Sequence, residues 1–259
     1  MEGRPPGRPI NRQNAITMSE SHRPPVAGRE AHALAWSVLL TVGAVLFTLS
    51  YQRWGHPIID LGRDLYVPSQ LFAGKTLYRQ VLYNYGPLTP YLLAAITSVA
   101  GDGLRVFEGL GLFVGLLSTA TLYAIGNRLG GVYNGFSAAL LFVTLSLFAR
   151  STWGANFVLP YAFAATLGTL FSLGSFLFLI RHIFAGGRRR DLVASLALLL
   201  LAVFTKVEIG LAIGLVHALA WWAHRLPARP ALLTAGIGLG TGSLCAVAFG
   251  ARNAAEHSL

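Results

Sequence analysis

The feature that most constrains this chain is the gathering of its apolar residues into long blocks without charge. Val38–Leu49, Leu110–Ile125, Phe157–Ile180, Leu192–Phe204 and Ile209–Trp222 contain no Asp, Glu, Lys or Arg. Stretches of about 17–25 apolar residues can cross a bilayer as helices. Strand-like alternation of apolar and polar residues is missing from these blocks, and a spanning segment must satisfy its own backbone hydrogen bonds. The expectation is therefore an all-α, polytopic membrane protein with about seven transmembrane helices. Composition agrees: 12% of residues are charged and 54% hydrophobic, where a soluble domain carries about 25% charged residues.

The net charge of +10 does not point to nucleic acid. Its cations sit in tails and short loops between apolar blocks, where they orient a membrane protein. The single cysteine, Cys245, lies in an apolar block and excludes an intrachain disulfide and a cysteine-rich metal site. Residues 1–31 are rich in Pro, Arg and Gly and read as a disordered basic tail before an uncleaved anchor helix. Residues 32–259 form the transmembrane domain.

Helices are expected over about His32–Tyr51, Val106–Gly126, Val132–Phe148, Phe157–Ile180, Asp191–Thr205, Val207–Trp222 and Ala231–Phe249, with a polar loop over Gln52–Gly86. The segment Pro87–Ala100 decides the topology. As a helix it would rise about 21 Å, short of the roughly 30 Å hydrocarbon core. If it does not cross, and the tail is cytoplasmic, the inner side holds Arg4, Arg8, Arg12, Arg23, Arg29, Arg128, Arg181, Arg188, Arg189, Arg190, Arg225 and Arg229. If it does cross with the tail still cytoplasmic, nine of the twenty Lys and Arg lie inside and the Arg188–Arg190 cluster moves outside; with the tail outside and the segment crossing, eleven lie inside. The positive-inside rule favours the first arrangement. That arrangement also puts the Gln52–Gly86 loop, the Arg150–Asn156 turn and Lys206 on one outer face.

Within the loop, Asp60 and Asp64 lie one helical turn apart and can face one site. Pro68 suits the first position of a short juxtamembrane helix and Gly74 its end; Leu65, Leu71 and Phe72 give it an apolar side that would rest on the membrane surface. The order of elements is Asp60-Leu61-Gly62-Arg63-Asp64, then Gly74-Lys75-Thr76-Leu77-Tyr78-Arg79, then Tyr83-Asn84-Tyr85-Gly86-Pro87-Leu88. This series resembles the first outer loop of GT-C fold glycosyltransferases, and most closely the family 39-type, protein-mannosyltransferase-like enzymes of bacteria.

The resemblance implies a glycosyltransferase in the bacterial plasma (inner) membrane, with its first loop outside. It would take a sugar from a polyprenyl-phosphate donor and pass it to a glycan, lipid or protein acceptor of the cell envelope. Asp60 matches the family's catalytic carboxylate, and Asp64 stands where relatives often have Glu. Arg63 follows within the same motif, and Lys206 resembles a lysine at the outer end of a middle helix. The chemistry is coherent. One carboxylate accepts the proton of the acceptor hydroxyl, and fixed cations stabilise charge developing on the leaving phosphate. Arg63, Lys75, Arg79 and Lys206 are the candidate phosphate ligands; Tyr78, Tyr83 and Tyr85 are candidates to pack on sugar or lipid. No resident cofactor or metal is implied, although a divalent cation is compatible with the chemistry. Family members are commonly longer, which also suggests an inactive N-terminal fragment of such an enzyme.

Plainer readings stand beside each of these. Asp60 and Asp64 could be loop acids or helix caps, and Arg63, Lys75 and Arg79 interfacial anchors. Lys206 and Glu208 could sit in a break between two crossings. His217 and His224, seven residues apart, lack a third ligand for zinc. Trp221 and Trp222 read as an interfacial aromatic belt; the glycines Gly109, Gly111 and Gly115, and those of Gly236–Gly242, read as close-packing positions. A secondary transporter is the rival from another class, but it would be expected to show two related halves, and none is evident here.

Overall fold

The computed structural model describes residues 28–54, 60–149, 156–184 and 187–224. The expected helix Ala231–Phe249, most of the basic tail, the Arg150–Ala155 turn and Cys245 lie outside the described residues.

Every regular element among the described residues is helical. In chain order they are α1 (Arg29–Ser50), α2 (Asp60–Phe72), α3 (Leu88–Ala100), α4 (Leu104–Phe142), which runs on into a π-helical turn at Val143–Leu147, α5 (Phe163–Phe184), α6 (Arg189–Thr205) and α7 (Val207–His224). Three apolar stretches, Arg29–Ser50, Leu104–Leu147 and Phe163–Phe184, are long enough to cross a membrane, and Leu88–Ala100 and Val207–Ala223 are shorter apolar helices.

The long α4 stretch is two helices, not one. Gly130 (φ −153°, ψ 19°) and Gly131 (φ 82°, ψ −175°) leave helical geometry, and the second of these conformations is open essentially only to glycine. The chain reverses there. A Cβ on Gly126 would meet the Asn134 carbonyl oxygen at 2.7 Å, and one on Gly135 would meet the Tyr123 carbonyl oxygen at 2.6 Å. The two arms thus pack backbone to backbone. This matches the expected pair Val106–Gly126 and Val132–Phe148, with the first arm extending several residues further.

The contacts fix a common polarity. Near one end, His32 of α1 bonds Tyr123 of the first α4 arm (2.7 Å), close to the Gly130-Gly131 reversal. Near the other end, Phe47 packs on Phe148 and Trp54, Gly111 abuts the Val158 carbonyl oxygen, and Phe107 meets Phe163. The second end also carries α2, the loop to Gly86 and the α6–α7 junction. α3 stays there: it starts beside Thr205, through the Gly86 N–H bond to the Thr205 carbonyl (3.0 Å), and its far end, Thr97 to Asp102, borders Leu65, Pro68 and Phe72 of α2. A helix pinned at one end of the bundle by both of its termini does not run through it, as its length led us to expect.

Three boundaries differ from expectation. α1 begins at Arg29, so the last three residues assigned to the tail are helical. α5 begins at Phe163 rather than Phe157: the Asn156 side chain accepts the Leu159 N–H (2.9 Å), and Pro160 disfavours helical geometry at Leu159. Pro68 lies inside α2 rather than at its start. Gly74 does end that helix, at φ 80°, with the Gly74 N–H on Leu71 and the Lys75 N–H on Gln70, the paired bonds of a Schellman stop.

The bundle half formed by α5, α6 and α7 is joined by a buried polar cluster. The Ser175 and Ser195 hydroxyls each donate to the other's backbone carbonyl (2.7 Å both ways), and His217 Nε2 lies 2.8 Å from the Ser195 hydroxyl. In apolar surroundings such interhelical bonds fix register between helices.

A side chain at position 131 would force the reversal out of its conformation, at a cost of about 1–3 kcal/mol. Gly131→Ala should therefore lower the thermal midpoint of the purified protein, while Gly109→Ala, at an open helical position, should leave it unchanged or raise it, since alanine is the better helix former.

Candidate functional site

α2 presents Leu61, Asp64, Val67 and Pro68 to the protein interior, the i, i+3, i+4 spacing of one helical face. Asp64 is therefore the polar member of an apolar stripe. It is 1% exposed. Its Oδ2 accepts the backbone N–H of Phe163 at 2.6 Å, the first residue of α5. Its Oδ1 lies 3.4 Å from the Tyr83 hydroxyl and 4.0 Å from Arg63 Nε. A carboxylate at a helix N-terminus satisfies an otherwise orphaned N–H and meets the positive end of the helix dipole. Here the cap comes from a residue far away in sequence. Asp64, expected as a second catalytic acid, is buried here and ties α2 to the start of α5.

Tyr83, expected to pack on sugar or lipid, is 1% exposed and faces Asp64. Burial first, and the Asp64 carboxylate second, push its phenol well above the ordinary tyrosine range. Tyr78 is also engaged: its hydroxyl donates to the Tyr85 carbonyl, and its backbone is held at φ 64°, an uncommon conformation for a non-glycine residue. Lys75 reaches the Gln70 side chain (2.6 Å) at the end of α2, and Arg79 is exposed with no hydrogen bond or ion pair among the described residues. The structure does not bring either cation to the cluster described next.

Arg63 and Lys206, 143 positions apart in sequence, converge on one ring. The Arg63 guanidinium carbon is 4.8 Å and Lys206 Nζ 4.9 Å from the centroid of Tyr85. Lys206 also lies 5.7 Å from the ring of Tyr161, and the Tyr85 and Tyr161 hydroxyls are hydrogen-bonded at 2.6 Å. Burial disfavours the charged form of Arg63, but its bond to Tyr85 and the fields of Asp64 and the tyrosines outweigh that and hold its affinity for the proton above the ordinary value. Burial and the Tyr161 bond raise Tyr85. The site thus keeps Arg63 cationic beside a Tyr85 phenol that holds its proton.

One backbone bond templates this convergence. Lys206 occupies an extended break (φ −150°, ψ 110°) between α6 and α7. The residue before it, Thr205, accepts the N–H of Gly86, the residue after Tyr85. Pairing Gly86 with Thr205 therefore sets Tyr85 beside Lys206. Glycine is required at this seam, because a Cβ on Gly86 would lie 2.0 Å from the Phe204 carbonyl oxygen. Asp60 opens α2 one turn before Asp64, and its side chain lies outside the described residues. No group of three His, Cys, Asp or Glu suited to a metal occurs among the described residues.

Tyr161 was missed in the sequence because it sits in the irregular stretch before α5, which hydropathy assigns to a helix. Cations against aromatic faces, with phenol donors beside them, suit an anionic oxygen-rich ligand such as a phosphate. The chain matches no family model, no curated protein and no solved structure, so the chemistry of the site rests on these residues themselves.

Asp64→Ala would leave the Phe163 N–H and the Tyr83 hydroxyl buried without their acceptor and should cost about 3–5 kcal/mol, read as a lowered midpoint of unfolding; Asp64→Asn, which keeps an oxygen, should cost less. Tyr83 gives a pH signature. Its folded proton affinity exceeds the unfolded value, near pH 10, so its contribution is fully present below about pH 10 and is lost as the pH rises beyond it. Tyr83→Phe should remove that alkaline loss of stability.

Proposed function

We propose that this chain is a polytopic membrane glycosyltransferase of GT-C type, which transfers a sugar from a polyprenyl-phosphate donor to a cell-envelope acceptor on the outer face of a bacterial plasma membrane. The observation that carries the reading is the meeting of Arg63 and Lys206 at Tyr85. The loop motif did not contain Lys206, and its proximity was required only if both cations serve one anionic group.

In this reading Asp60 accepts the proton of the acceptor hydroxyl as that oxygen bonds to the anomeric carbon. The bond from that carbon to the donor phosphate breaks, and the electron pair leaves with the phosphate. Arg63 and Lys206 stabilise the charge that develops there. Asp64 and Tyr83 hold α2 so that Arg63 points to the site, and Tyr85 and Tyr161 set the two cations.

Six crossings are assigned to α1, the two arms of α4, α5, α6 and α7. The site end is assigned to the outside. Among the described residues each end carries six Lys and Arg, so this assignment rests on the sequence count, in which the arginines of residues 1–28 tip the balance to the end opposite the site.

Two measurements test this. With a maleimide that cannot cross the membrane, Ser98→Cys should be labelled from outside and Gly187→Cys should not; labelling of position 187 from outside overturns the orientation. In membranes supplied with a radiolabelled polyprenyl-phosphate sugar, Asp60→Asn should lower transfer by about 10²–10⁴-fold while donor binding persists. Full transfer by the Asn variant would end the catalytic assignment of Asp60.

A further inference from the structure

At the end of the bundle opposite the Tyr85 cluster, Arg188, Arg189 and Arg190 are consecutive and exposed at the start of α6. None has a carboxylate within 4 Å among the described residues. The neighbouring acid, Asp191, is 2% exposed and is paired inward with Arg181 at 3.4 Å. These three cations also lie at the helix end that carries the positive pole of the dipole, where cations are disfavoured. Nothing within the described protein offsets them, so the patch favours an anion from outside it.

The patch has a level in the bundle. The Ser175–Ser195–His217 cluster ties α5, α6 and α7 at one height. From that height, Phe184 lies roughly 13 Å, Asp191 roughly 6 Å and Trp222 roughly 8 Å in the same direction at 1.5 Å per residue. Phe184 is 73% and Trp222 83% exposed. Exposed aromatic rings level with exposed arginines, at the ends of apolar helices, mark the zone where hydrocarbon gives way to headgroups.

We propose that the Arg188–Arg190 patch is a docking surface for anionic phospholipid headgroups, at the same depth in the bundle as the exposed ring of Trp222. A soluble phosphate-bearing ligand would engage the same guanidinium groups, but it would not account for the aromatic residues at this level. The surface does not depend on the catalytic reading of the opposite face and would stand if that reading failed.

The experiment uses the protein in phosphatidylcholine vesicles doped with brominated phosphatidylglycerol or brominated phosphatidylcholine, and follows the Trp222 fluorescence component, defined by difference from Trp222→Phe. Brominated phosphatidylglycerol should quench that component at a several-fold lower mole fraction than brominated phosphatidylcholine. An arginine near an anionic surface contributes about five-fold in affinity, so R188Q/R189Q/R190Q should bring the two quenching curves together. R188K/R189K/R190K should keep them apart, which retains the test if the Gln variant does not fold. Equal quenching in the native protein, or an unchanged preference in the Gln variant, overturns the proposal. So does abolition of the preference by millimolar inorganic phosphate under conditions where the same ionic strength of chloride leaves it intact, since the patch would then be a site for soluble anions.

Discussion

The arrangement at the site end depends on a single buried carboxylate. The apolar face of α2, with Leu61 and Val67 buried, is drawn to the bundle by a non-directional force. Asp64 supplies what packing lacks, because it accepts the first N–H of α5 and faces the Tyr83 hydroxyl. A buried carboxylate is costly to desolvate and is tolerated where its oxygens are satisfied. That requirement makes the contact directional: α2 can rotate neither toward lipid nor toward solvent without stripping the carboxylate of its donors. Arg63, next in the chain, inherits its position from this constraint.

The second constraint is the seam between Gly86 and Thr205. Backbone groups pair across it at a separation only glycine permits, and the residues on either side, Tyr85 and Lys206, are brought together as a consequence. Two distant stretches of sequence are thus registered by main-chain geometry rather than by the Tyr85 and Lys206 side chains themselves. The side chains at such a site can differ without loss of the scaffold, and the scaffold can be lost by a change at a residue that touches no ligand.

Much of this was legible in the sequence. Long uncharged blocks announce helices that bury their own backbone polarity, the shortness of Pro87–Ala100 announces a segment that stays at one end, and Lys206 and Glu208, two residues apart between two apolar blocks, announce a break. The roles of Asp64 and Tyr83 were less legible, although Leu61, Asp64, Val67 and Pro68 share the spacing of one helical face, which marks Asp64 as inward. The Asp64–Phe163 and Ser195–His217 contacts left no local signal, because each joins helices through positions whose separation follows from the packed fold rather than from any periodicity. The start of α5 was misplaced for a related reason: hydropathy registers the apolar run but not the turn made by Asn156 and Pro160 within it.

The π-helical turn at Val143–Leu147 carries a consequence of another kind. A π-turn holds one residue more than the α-helical turn it replaces, so it acts as a phase shifter in the second arm of α4. Each residue of an α-helix turns the chain by about 100°, and the extra one rotates everything beyond it relative to an uninterrupted helix. Leu147, which fills the space a side chain on Gly115 would need, and Phe148, which meets Phe47, owe their facing to that shift. A one-residue deletion in this turn would leave composition and hydropathy almost unchanged, yet it would swing both side chains away from their partners; length here is a structural parameter as strict as residue identity.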